Sequence, residues 1–221
     1  AGQGTRMKSA LPKVLHPLAG KALFLHGLAS ARRLVPELVA IVVGHGANAV
    51  RKAYGGTDVS WVIQEKQLGT GHAVLCAAAT FKDFDGDIVI LSGDVPLIRE
   101  ETLREMVGHH RNRRAAVTLL TTVLDEPKGY GRILRDGKGA ITAIVEEKDA
   151  SEAQCKVHEI NAGVYVASAS FLFAALDRIN NDNQQGEYYL PDIVAIALGQ
   201  GKKVETVPAS DGREVMGINS R

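Results

Sequence analysis

Residues 87–97 read Asp87-Ile88-Val89-Ile90-Leu91-Ser92-Gly93-Asp94-Val95-Pro96-Leu97. An unbroken aliphatic run cannot be a strand with one wet face. It needs cover on both sides, as the strands of a parallel sheet have. Residues 38–43 (LVAIVV) repeat the pattern, and residues 59–63 add a further strand. Between them, residues 21–34, 47–54 and 70–80 carry helical periodicity. Strand-helix alternation implies right-handed crossovers and an α/β fold, a Rossmann-like doubly wound, mostly parallel sheet. Ligands of such sheets bind beyond the carboxyl ends of the strands, where Asp94 stands.

The second half changes texture. Residues 115–123 form a strand rich in Val and Thr, and residues 131–134 and 140–145 flank Arg135-Asp136-Gly137-Lys138, whose Asp-Gly signals a hairpin turn. Residues 159–167 and 203–207 read as strands, and residues 100–111, 168–178 and 188–198 as helices. No internal repeat, low-complexity tract or Pro/Gly/Ser linker interrupts residues 1–221, so one domain is expected, with a small antiparallel lobe over residues 118–167.

Composition excludes several functions. The 26 basic and 25 acidic side chains nearly cancel, leaving no general basic field for nucleic acid. Aromatic residues, 5% of the chain, are too sparse for a base-stacking platform. No apolar run reaches the roughly 18 to 20 residues of a membrane span. The two cysteines, Cys76 and Cys155, lack C-x-x-C spacing, which argues against a disulfide or zinc site and for a cytoplasmic setting. Cys76 reads as inert packing in an Ala-rich helix.

Four groups of residues carry chemistry. The chain opens Ala1-Gly2-Gln3-Gly4-Thr5-Arg6, with Lys13 following in Leu11-Pro12-Lys13. Two glycines allow close backbone approach, and Arg6 and Lys13 add fixed positive charge, as phosphates require. A Walker loop is excluded because the Gly-Lys-[Ser/Thr] ending is missing. A loop of this kind normally follows a buried strand, so a preceding strand is expected upstream of Ala1, in a longer protein. The second group is QEKQLGTGHA, residues 64–73, with Gln64 at a strand end and Gly69-Thr70-Gly71 opening a helix. Its free N–H groups suit an anion, while a Gln amide beside a backbone N–H equally suits the edge of uracil; a surface loop is the bland alternative. His72 reads as a cap contact without chemistry.

Asp94 forms the third group. A carboxylate there suits Mg²⁺, which takes one or two carboxylates and fills its remaining positions with phosphate and water. A helix cap is the competing reading, but Pro96 and Leu97 separate Asp94 from the following helix. The fourth group is Tyr130-Gly131, Glu146 and Asn161-Ala162-Gly163, whose donors and acceptors suit sugar hydroxyls or, equally, a solvated sheet edge. Asn219 carries an oxygen able to complete a metal site, though nothing local demands it.

Together these segments resemble the uridylyltransferase domain of the bacterial bifunctional enzymes that join an N-acetylglucosamine-1-phosphate uridylyltransferase to a glucosamine-1-phosphate acetyltransferase. AGQGTRMKSALPKVLHPLAGK resembles that family's opening, and QLGTGHA, GDVPL, GYGRI, VEEKDA, EINAGVY and QGEYYLPDIV follow in the same order across the whole chain. The resemblance implies that Ala1 and Gly2 line the nucleotide pocket, that Arg6 and Lys13 meet phosphates, and that Gln64 and Gly69 read uracil with Gln67 and Thr70 nearby. It implies Asp94 and Asn219 as Mg²⁺ ligands, and Gly131, Glu146, Asn161 and Tyr189 around N-acetylglucosamine. The reaction implied is transfer of uridylyl from UTP to N-acetylglucosamine-1-phosphate, in the cytoplasm, for cell-wall precursor synthesis. A homotrimeric parent would assemble through a C-terminal acetyltransferase domain, whose hexapeptide repeats are not in this chain. Pro191 stands where relatives often carry Thr, and Ser220 where they carry Asn. Two rivals share these features: a nucleotidyltransferase of different base or sugar preference, and a sensing subunit that keeps the fold without turnover.

Overall fold

The computed structural model describes residues 11–217, so Ala1, Gly2, Arg6 and Asn219 lie outside the described residues. Strands and helices alternate from β1 (Pro17–Leu18) and β2 (Lys21–Ala22) through α1 (Leu23–Arg32), β3 (Ala40–Val43), α2 (Ala47–Tyr54), β4 (Ser60–Ile63), α3 (Thr70–Leu75), β5 (Asp87–Ile90) and α4 (Glu100–Arg113). There follow β6 (Val117–Val123), β7 (Arg132–Arg135), β8 (Ile141–Val145), the short α5 (Glu152–Cys155), β9 (Glu159–Ser168), α6 (Ala169–Leu176), α7 (Asp192–Gly199) and β10 (Val204–Pro208).

The α/β class holds, with a mixed sheet. β3 pairs with β4 in parallel, as β6 does with β10. β9 runs antiparallel to β5, β6 and β7, giving the order β10-β6-β9-β7-β8 with β5 beside β9. The antiparallel pairing expected within residues 118–167 is present, and it extends further than expected because β5 also joins β9.

β9 shows why the sheet sits at the centre. Ile160, Ala162, Val164 and Val166 enter the core that Leu103 and Met106 of α4 complete. Tyr165 and Ala167 enter the opposite core, with Leu172 and Leu176 of α6 and Ile193 and Val194 of α7. The period of two sends alternate side chains to opposite faces, and helices cover both. Burying each Leu or Ile contributes about 1.5–3 kcal/mol, so both faces of β9 add to the apolar stabilisation.

β3 and β5, read from sequence as buried on both faces, are only partly covered. Each has one paired edge. Among the described residues its other edge meets no strand and borders a shared cleft, lined by Ile41 and Val42 on one side and Val89 and Ile90 on the other.

Two helix starts and one turn differ from the sequence reading for identifiable reasons, and the helix expected over residues 70–80 ends at Leu75. The helix expected from residue 21 begins at Leu23, because Lys21 and Ala22 pair back onto Pro17–Leu18 across Ala19 and Gly20, both at positive φ. The helix expected over residues 188–198 begins at Asp192, because Tyr188 directs its N–H to Leu68 and its carbonyl to the Gly71 N–H. In the β7–β8 turn the positive-φ glycine is Gly139, at +85°, while the Asp136 carboxylate accepts from the Lys138 and Ala140 amides. Among the described residues no helix is long and apolar enough to cross a membrane.

Candidate active site

Lys13 begins a 3-10 turn and Asp94 lies in the turn beyond β5, far apart in sequence. In space they touch: the Lys13 Nζ donates to Asp94 Oδ2 as a partly buried ion pair. Gly93 eases the approach, since a Cβ there would stand 3.3 Å from the Val14 methyl, a tight contact. The two residues whose convergence the phosphate reading requires share one cleft.

Gln64, Gly69 and Thr70 occupy one flank of that cleft. The Gln64 amide N–H bonds the Val43 carbonyl at 2.7 Å, carrying the β3–β4 ladder past its last strand residue. The Gln64 side chain, 2% exposed, donates from Nε2 to the Gly69 carbonyl at 3.0 Å. Gly69 has φ +108° and ψ 176°, a conformation essentially restricted to glycine. A Cβ there would lie 2.6 Å from the Tyr188 carbonyl oxygen, so the loop and the segment leading to α7 pack backbone on backbone. Thr70 is exposed, but its Oγ1 accepts from the Leu190 amide at 3.0 Å. Its hydroxyl lone pair is thus engaged in holding α3 against the α7 approach.

Gly131, Glu146 and Asn161 line the other flank. Strand register gathers them. Arg132 of β7 faces both Val145 of β8 and Ile160 of β9, placing the adjoining residues Gly131, Glu146 and Asn161 side by side. The Asn161 N–H donates to the Gly131 carbonyl at 2.9 Å. A Cβ on Gly131 would sit 3.0 Å from Glu146 Oε1, so glycine there admits the carboxylate. Asn161 turns its side chain partly inward, donating from Nδ2 to the Tyr165 hydroxyl at 2.5 Å and accepting from the Gly163 N–H at 3.1 Å.

Burial raises the Glu146 carboxyl above the usual range; Asp149 and Asp192 push it the same way and the buried Arg132 opposes. Asp192 is raised to about 6 by burial and by Asp149. Sequence reading singled out Glu146 but not its acidic neighbours Asp149 and Asp192, although VEEKDA and PDIV were visible as motifs.

Tyr189 is held by the protein itself. It is 8% exposed, is not among the residues lining the cleft, and its hydroxyl accepts from Gln185 at 2.7 Å. Burial pushes its phenol up to about 12. Its neighbours Leu190 and Pro191 line the cleft instead, as do Tyr130, Gln67 and Gly217. The Tyr130 hydroxyl accepts from the Gly217 amide at 3.2 Å, bringing the C-terminal segment to the cleft. Its anchor is Glu214, 3% exposed, which accepts from Arg99 and Thr102.

A family profile described as "MobA-like NTP transferase domain" matches residues 1–187. The chain belongs to that family. Among curated proteins it is 52% identical over 222 residues to the "Bifunctional protein GlmU" of Geobacter metallireducens, covering 100% of this chain and 47% of that one. The protein of the same name from Desulfotalea psychrophila is 47% identical over 221 residues, covering all of this chain and 65% of its own length. The chain therefore spans about half the length of most curated relatives it matches. Among solved structures, UDP-glucose pyrophosphorylase complexed with UDP-glucose superposes with a TM-score of 0.76 at 18% identity, covering 93% of this chain and 87% of that one. At that identity the likeness speaks for the fold. Among NTP transferase domains of this family, then, this one brings a lysine and a carboxylate together between two polar flanks.

Proposed function

We propose that this domain transfers the uridylyl group of UTP to N-acetylglucosamine-1-phosphate, giving UDP-N-acetylglucosamine and pyrophosphate, a step that supplies bacterial cell-wall precursors in the cytoplasm. The observation that carries the reading is the meeting of Lys13 and Asp94 in one cleft, with Gln64 and Gly69 on one flank and Gly131, Glu146 and Asn161 on the other. Membership of the NTP transferase family and the identity to the GlmU proteins support it. In the parent protein, trimerisation would rest on segments beyond this domain.

A phosphate oxygen of the sugar phosphate attacks the α-phosphorus of UTP; the bond from that phosphorus to the β-bridging oxygen breaks, and pyrophosphate leaves. The attacking phosphate is ionised near neutral pH, so no general base is needed, and catalysis is positioning plus charge stabilisation. Lys13, with Arg6, offsets the repulsion between two anions. Gln64 and Gly69 hold the base. Gly131 gives the sugar close access to backbone, while Glu146 and Asn161 offer acceptors and a donor to its hydroxyl and acetamido groups.

Asp94 fits Mg²⁺ in donor type. Its side chain, 25% exposed, offers hard carboxylate oxygens at the cleft, and among the described residues no group of three or more His, Cys, Asp or Glu could hold a metal ion. Such a site suits an ion that takes most of its ligands from phosphate and water. Asp94 and Asn219 would hold it, and bound Mg²⁺ supplies charge neutralisation on the triphosphate. The test is pyrophosphate release with four nucleoside triphosphates and several sugar 1-phosphates. The reading expects release to require UTP, N-acetylglucosamine-1-phosphate and Mg²⁺ together. Equal rates with another pair, or none with any, would refute it.

A further inference from the structure

His72, adjacent to the uracil-reading residues of the proposal above, has been left without a task. It lies in the first turn of α3, and its Nδ1 stands 3.0 Å from Gln64 Nε2. The same Nε2 is 3.0 Å from the Gly69 carbonyl oxygen. A carbonyl only accepts, so the Gln64 atom facing it must be the NH₂ group. One of its two N–H bonds serves Gly69 and the other points to His72. That second bond requires a bare Nδ1, hence a neutral ring with its proton on Nε2. Both Gln64 donors are then used within the protein. What remains for a ligand is Oε1, a pure acceptor, to which no group among the described residues donates.

We propose that His72 is a positioning residue that locks the Gln64 amide with Oε1 toward the cleft and thereby makes the site select a base bearing a ring N–H. The inference rests on the uridylyl reading for the identity of the base. Uracil presents N3–H, a donor, and satisfies Oε1. Cytosine N3 and adenine N1 are acceptors and would place two lone pairs face to face, leaving a desolvated oxygen without a partner. Without the imidazole only the Gly69 carbonyl still opposes the turned amide, so the orientation that offers NH₂ to a ligand, which tolerates cytosine, becomes less costly.

The ring is well held for this role. The Gly71 amide donates to the Tyr188 carbonyl at 2.8 Å, fixing the start of α3. The Tyr188 ring lies against the imidazole, with centroids 6.4 Å apart. Cys76, a turn further on, has its Sγ 3.9 Å from both ring nitrogens.

The test pairs two measurements. In the first, kcat/KM for UTP and for CTP is compared in the wild type, His72→Leu and His72→Asn, with thermal melts to show that each is folded. Leucine removes the acceptor and should lower the UTP:CTP ratio about tenfold or more, by raising KM for UTP with kcat kept. Asparagine returns an oxygen near the Nδ1 position and should recover most of the ratio. An unchanged ratio in His72→Leu, or an asparagine variant as impaired as the leucine one, overturns the proposal. The second measurement needs no substrate: ¹⁵N NMR of labelled histidine in the wild type should show Nδ1 bare and Nε2 protonated at neutral pH, with the Nδ1 signal moving in Gln64→Leu. A proton on Nδ1 refutes the lock even if UTP is preferred. A bare Nδ1 that responds to Gln64→Leu supports the lock, and if the protein turned over no nucleotide it would be the uridylyl reading that fell.

Discussion

Replacing Gly69 with alanine puts a methyl group where the Tyr188 backbone already stands. The added Cβ would lie 2.6 Å from the Tyr188 carbonyl oxygen and 2.8 Å from its nitrogen, with Glu187 Cβ at 2.9 Å. None of these is the loose end of a flexible side chain, so relief must come from moving backbone. The residue would also have to hold φ +108°, which costs a non-glycine about 1–3 kcal/mol. Moving Tyr188 stretches two 2.8 Å bonds, Tyr188 N–H to Leu68 and Gly71 N–H to Tyr188, each contributing about 1 kcal/mol. The expected loss is therefore about 3–5 kcal/mol, a large part of the roughly 5–15 kcal/mol that keeps a domain folded. Urea unfolding followed by circular dichroism should show the midpoint falling by about 1–2 M at unchanged slope. In the folded fraction, KM for UTP should rise while KM for the sugar phosphate stays put, because Gly131, Glu146 and Asn161 are positioned by the β7, β8 and β9 register and not by the Gly69 loop. A loss below about 1 kcal/mol, or a parallel rise of both KM values, would refute the backbone-contact argument.

Three further outcomes follow from the same geometry. Asp94→Asn should cut turnover by about a hundredfold or more while the protein stays folded, since asparagine keeps the shape and an oxygen acceptor for Lys13; near-normal turnover in a pyrophosphate-release assay would remove Asp94 from the chemistry. Gly131→Ala, whose Cβ would stand 3.0 Å from Glu146 Oε1, should raise KM for the sugar phosphate about tenfold and spare UTP, as initial-rate kinetics would show. Asp192, raised to about 6 from an ordinary 3.8, is favoured by the fold when protonated; that stability is complete below about pH 4 and is lost as pH rises through about 6. At about 1.4 kcal/mol per pH unit the ceiling is about 3 kcal/mol, and partial solvation reduces it to about 1 kcal/mol. Asp192→Asn should then melt about 2–4 °C higher than wild type at pH 7.5, with the gain vanishing near pH 4.

The sequence made the chemistry-bearing positions legible where local pattern carries them. The polar turn behind 88–91 identifies Asp94, and Gly69-Thr70-Gly71 identifies a helix start, because both signals reside within a few residues. The environment of Tyr189 was not legible in the sequence, for a physical reason. Helical periodicity extends through it, but the chain before Asp192 is tied to the Gly69 loop by long-range backbone bonds, so the phenol turns to Gln185 rather than to the cleft. Thr70 was legible as a neighbour of the ligand loop, yet its bond to Leu190 depends on a partner far along the chain. His72 shows the same limit. Its place in α3 is a local matter, but its proximity to Gln64 Nε2 depends on how the loop between them folds back.

Strand pairing explains how the two halves of the site meet, and period counting could not have supplied it. β5 and β9 run antiparallel with Ile90 opposite Tyr165. Moving forward from Ile90 toward Asp94 therefore corresponds to moving backward from Tyr165 toward Asn161, and both lead to the same end of the sheet. β7 then joins β9 at Ile160, bringing Gly131 and, through β8, Glu146 to that end as well. A sheet with β5 parallel to β9 would have sent Asp94 and Asn161 to opposite ends. The irregularity that aims Asn161 lies in the same strand: the β6–β9 register shifts between Leu119 and Thr121, and Gly163, at φ +73°, gives its N–H to the Asn161 side chain. Alternation along a single strand reports which face a residue occupies. It does not report which end of a neighbouring strand lies beside it, and in this domain that second fact brings the Asp94 carboxylate and the Asn161 amide to the same end of the sheet.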